Sequence, residues 1–66
     1  MTVADFANEF FKEYPRVTLV FNNTSVYFWN EEELYEFKDE FVEESYTNSM
    51  GLHLVINREV QKYEIA

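Results

Sequence analysis

The sequence predicts a single small α+β domain, αββαββ in order, with a mainly antiparallel four-stranded sheet and two helices on one face of it. Three observations predict it. Apolar residues recur at helical spacing over two stretches, 3–14 and 31–44. Each stretch is followed by short segments in which apolar and polar residues alternate, the period of a strand with one buried face. The 66 residues leave room for one domain and one core.

Thr2 opens the first helix as its N-cap, with Asp5 in the place usually held by the Glu of a capping box. Val3, Phe6, Ala7, Phe10, Phe11 and Tyr14 cover one side of it, and Asn8, Glu9, Lys12 and Glu13 the other. Pro15 ends it, because the residue before a proline is driven out of the α region. Residues 16–21 then alternate, as do 26–29, with turn-forming Asn22 to Ser25 between them. Pairing Phe21 with Val26 and Leu19 with Phe28 gathers the large apolar side chains on one face. Val20, Tyr27 and Trp29 fall on the other.

Asn30 caps the second helix, 31–44, with Glu33 at the reciprocal position. Ser45 to Gly51 reads as a loop and holds the only glycine. Strands 52–57 and 60–65 follow around the turn Asn57-Arg58-Glu59, placing Leu54 opposite Tyr63 and His53 opposite Glu64.

Chains below about 70–80 residues have marginal cores; seven Phe, five Tyr and one Trp supply bulk here. No Cys is present, so there is no disulfide or thiolate site. The net charge of −8 repels nucleic acid and anionic lipid, and attracts basic surfaces. Acids near the N-terminus and the lack of a long apolar run give the expectation of a cytoplasmic protein that neither enters a membrane nor binds nucleic acid directly.

No catalytic residue is assigned. His53 is the only histidine, and nothing resembles a nucleophile elbow or a Gly-rich phosphate loop. Solvated carboxylates on a helix lack the cleft that raises one pKa for acid catalysis, and their side chains splay apart instead of converging on a metal. The expectation is a protein that is not an enzyme, with no metal and no cofactor.

Two surfaces remain. On a helix over 31–44, Glu32, Glu33, Glu36, Asp39, Glu40, Glu43 and Glu44 form one anionic arc opposite Leu34, Phe37 and Phe41. Carboxylates one turn apart, about 5–6 Å, give a charge row of the kind a nucleic-acid strand presents. A solubilising helix face is the plainer reading of the same residues. The second surface is the outer sheet face, Val20, Tyr27, Trp29 and Val55, an apolar patch suited to a homodimer or a foreign partner.

In physical type the chain resembles the DNA-mimic inhibitors of phages and mobile elements, which are small, acidic and Cys-free and act against restriction enzymes, CRISPR nucleases or other nucleic-acid-handling proteins. That resemblance implies a basic, nucleic-acid-handling protein as partner, in the cytoplasm of a host cell. The other expectation is an acidic interaction, immunity or adaptor domain, dimeric through the outer sheet face, without mimicry.

Overall fold

The computed structural model describes residues 1–12 and 15–65. A four-stranded mixed sheet carries two short helices on one face. Strand β1 (Val17–Val20) pairs antiparallel with β2 (Ser25–Phe28). Helix α1 (Glu31–Leu34) follows and is extended by a 3-10 turn, Tyr35–Phe37. Strand β3 (Glu44–Asn48) pairs antiparallel with β4 (Gly51–Val55), and β4 lies parallel to β1, so the order is β2-β1-β4-β3. The two hairpins sit side by side, in the αββαββ order the sequence predicts. Among the described residues no helix is long and apolar enough to cross a membrane.

One core lies on the helix side. Val17 and Leu19 of β1, Phe28 of β2, and Leu52 and Leu54 of β4 point into it, and Val3, Phe10, Leu34 and Phe37 cover them. The Phe37 ring packs against Phe21 and Phe28, each at 5.7 Å between centroids, in the tilted and edge-on geometries that aromatic quadrupoles favour. Of the aromatic residues, Phe10, Phe21, Phe28 and Phe37 are buried in the core, whereas Tyr27, Trp29, Tyr35, Phe41, Tyr46 and Tyr63 are exposed.

The strand register differs from expectation by two residues. Leu19 faces Val26, Val17 faces Phe28, Val20 faces Ser25 and Thr18 faces Tyr27. The Phe21 N–H donates to the Thr24 carbonyl at 2.8 Å, closing the turn on Asn22 and Asn23 and leaving Phe21 beyond the ladder. A slip of two keeps every side chain on its face, so the core survives the change.

The first helix is a 3-10 helix spanning Val3–Glu9, where a helix over 3–14 was expected; Glu13 and Tyr14 lie outside the described residues. It ends because Phe10 turns extended and Phe11 takes φ 54°, burying Phe10 edge-on to Tyr35. Asp5 does act at the cap, accepting the Thr2 N–H at 2.7 Å.

The helix expected over 31–44 stops at Phe37. Its continuation would have buried Phe41 beside Phe37. Instead Val42 is buried and Phe41 is 64% exposed. The N-terminal residues take the main chain that a longer helix would need: Val3 N–H donates to Glu40, Ala4 N–H to Lys38, and the Val42 N–H to Met1. Like charges at i, i+4 spacing also work against extension.

Residues 44–48, read as helix end and loop, form β3. Residues 60–65, read as a strand, do not pair with β4: Asn23 brackets Val60 with two side-chain hydrogen bonds, and Lys62–Glu64 curl into a 3-10 turn. His53 accordingly faces Tyr46 in place of Glu64.

Candidate protein-interaction surfaces

The carboxylates of 31–44 are distributed over four local conformations. Glu32 and Glu33 sit on α1, Glu36 on its 3-10 extension, Asp39 and Glu40 in the turn beyond, and Glu43 and Glu44 at the entry to β3. The continuous arc of a long helix does not form. Glu32, Glu33, Glu36, Asp39, Glu43 and Glu44 are exposed, and Glu40 is half-buried.

Glu40 has a partner. Arg58 Nε donates to its Oε1 and Nη2 to its Oε2, both at 2.8 Å, the bidentate geometry that suits guanidinium to carboxylate. The same guanidinium donates to Glu64 at 2.9 and 3.2 Å and lies 5.2 Å over the Phe21 ring. These bonds raise the Arg58 pKa further above its already high value. Arg58 and then the Gln61 N–H hold Glu64 below the usual carboxylate range. Among the described residues the ion pairs are these two, both made by Arg58.

Beside this triad runs an open groove of about 350 Å³ between β2, α1 and the C-terminal turn, walled by Glu33, Glu36 and Glu64 with Phe37 at its side. It continues past Glu40 into a second hollow of about 300 Å³. Tyr63, 82% exposed, lines both. The fold thus brings Glu33 and Glu36 to the first hollow and Glu36 and Glu40 to the second. Glu32, Asp39, Glu43 and Glu44 line neither. Tyr63 and Glu64 line both hollows, Arg58 ties Glu40 to Glu64, and no local pattern in the sequence joins residue 40 to 58 and 64.

The outer face of the sheet carries the second group. The register sets Tyr27, Thr18, His53 and Tyr46 in one row across the four strands, and Ser25, Val20, Val55 and Glu44 in the next. Tyr27 is exposed, Trp29 is 62% exposed, and Val20 and Val55 are half-buried. Arg16 lies between the rings, its guanidinium 4.3 Å from the Tyr27 centroid and 5.9 Å from that of Trp29. Its Nε donates to the Met50 carbonyl at 3.1 Å. Arg16, Tyr46 and Met50 join this surface beyond the residues expected from sequence.

His53 is buried under Tyr46, the rings stacked at 4.7 Å and 8°. Asn48 Oδ1 accepts the Met50 N–H at 2.8 Å and lies 3.0 Å from His53 Nε2. An amide oxygen only accepts, so Nε2 carries the proton of the neutral ring. Burial first, and then Arg16, lower the His53 pKa, holding the ring uncharged.

No three His, Asp or Glu side chains converge as a metal-ligand set among the described residues. Comparison with protein-family models, with curated proteins and with solved structures finds no significant match to this chain.

Proposed function

We propose that this chain is a small acidic protein-binding inhibitor that occupies a basic surface of a target protein, one that otherwise holds nucleic acid. The gathering of Glu33, Glu36, Glu40 and Glu64 along two adjoining hollows, against the single guanidinium of Arg58, carries the reading. An Arg or Lys side chain laid into that groove meets carboxylates on its walls and the Tyr63 ring for stacking. The net charge of −8 steers such partners in and keeps polynucleotides out. With the long helical row absent, the support is a clustered anionic groove and not a regular ladder of charges.

The test is capture on immobilised protein from a bacterial lysate, elution on a salt gradient, and competition with DNA or RNA. A basic protein released by salt and displaced by nucleic acid is the expected outcome. Glu33→Lys with Glu36→Lys lowers its affinity at least about tenfold, since about 1.4 kcal/mol corresponds to each decade. These side chains are exposed, so the fold is retained.

A second reading, an interaction or adaptor domain without mimicry, is favoured by the outer face. Trp29, Tyr27, Tyr46, Met50 and Arg16 are the residue types that dominate interface hot spots. In that case Trp29→Ala and Tyr27→Ala abolish capture, the groove variants do not, and salt has little effect.

A further inference from the structure

Among the described residues, strand β3 is held by one ladder only, that with β4. All five of its residues are exposed, including Ser45 and Thr47 on the helix side, where the helices do not reach. Asn48 and Gly51 face each other across the two-residue turn, the position that a two-residue hairpin closes with a hydrogen-bonded pair. By the alternation of an antiparallel ladder, the N–H and C=O groups of Ser45 and Thr47 therefore point to the free edge. That edge carries no Lys or Pro, the residues that usually blunt an edge, and its one charge, Glu44, lies at its end.

The edge matches itself. A two-fold axis through Tyr46 sets Ser45 against Thr47 of a second copy in hydrogen-bonded pairs, and Glu44 against Asn48. No carboxylate then faces another, and the Tyr46 rings meet on the outer face. The opposite edge fails the same comparison, because α1 with its Glu residues packs against β2. Pairing there would bring two acidic helices together. Across a β3 seam the same helices stand about 30 Å apart, from strand spacings of about 4.8 Å. That is several Debye lengths at physiological salt.

We infer that the free edge of β3 pairs antiparallel with β3 of a second copy of this chain, giving one continuous eight-stranded sheet. The axis is perpendicular to the sheet, so both helix layers lie on one side. The two outer faces, with Trp29, Tyr27 and Tyr46, join on the other. This inference does not depend on what the acidic groove binds.

Analytical ultracentrifugation from micromolar to millimolar protein tests it. The wild type sediments at twice the 8.0 kDa chain mass. Thr47→Pro removes an edge donor that β4 does not use. Ser45→Glu with Thr47→Glu sets like charges across the seam twice. Each raises the dimer dissociation constant about tenfold or more while circular dichroism stays that of the folded chain. A wild type that stays monomeric throughout overturns the inference. So does a dimer that both variants leave intact, or one that Trp29→Ala alone dissociates.

Discussion

Thr18 sits on the sheet face that carries no helices, between Tyr27 and His53, only 1% exposed, and its hydroxyl has no hydrogen-bond partner among the described residues. A buried hydroxyl left unpaired costs roughly 1–3 kcal/mol. Thr18→Val replaces it with a methyl of similar size, so the variant gains about 1 kcal/mol, a rise in Tm of about 4–8 °C for a domain of this length. Thr18→Ser, which keeps the hydroxyl and deletes the methyl, melts lower than wild type. A Val variant that melts lower would mean that the hydroxyl is solvated through the Tyr27 and Tyr46 rings. At this scale the sequence was legible for side-chain direction: Val17, Leu19 and Phe28 inward, Thr18, Tyr27 and His53 outward. It could not say that Thr18 and His53 would be covered, because the cover comes from rings on other strands.

At the scale of elements, the C-terminal segment depends on Arg58. Its guanidinium joins the turn after α1, through Glu40, to the last 3-10 turn, through Glu64. All three side chains are partly exposed, so screening by solvent keeps the contribution modest. Arg58→Met keeps much of the packing on Phe21 and loses the ion pairs, and its Tm at pH 7 falls accordingly. The pH dependence separates pairing from packing. Glu64 is held below its unfolded value of 4.5, so its stabilisation is present above that value and is lost as pH falls through the folded one. The gap between wild type and Arg58→Met therefore narrows in melts at about pH 3. A gap that stays constant would assign the loss to packing alone. The elements themselves were unevenly legible. The first hairpin and the start of α1 followed from alternation and from Asn30, whose side chain does accept the Glu33 N–H. The end of α1 did not, because residues 1–4 compete for its main chain from outside any local window. Strand β3 escaped because its helix-side residues, Ser45 and Thr47, are polar and bury nothing, so the usual alternation is missing.

For the whole molecule, charge is the dominant feature. The radius of gyration is 10.7 Å, so at about 0.01 M salt, where the Debye length is about 30 Å, every carboxylate feels the others. Unfolding lets the chain expand and relieves that repulsion, which makes the compact state the more strained one. Adding NaCl up to about 0.15 M shortens the Debye length to about 8 Å and removes most of the penalty. The Tm of this chain therefore rises with salt, opposite to a domain held by exposed ion pairs, which salt weakens. The Arg58 triad, partly shielded from solvent, opposes the trend only slightly. Glu33→Lys with Glu36→Lys makes the net charge less negative by four and flattens the salt dependence. Calorimetry at fixed pH and one fixed protein concentration measures both slopes. A wild-type Tm that falls with NaCl would show the carboxylates to be compensated within the fold. The anionic groove would then have no unmet charge to offer a basic partner.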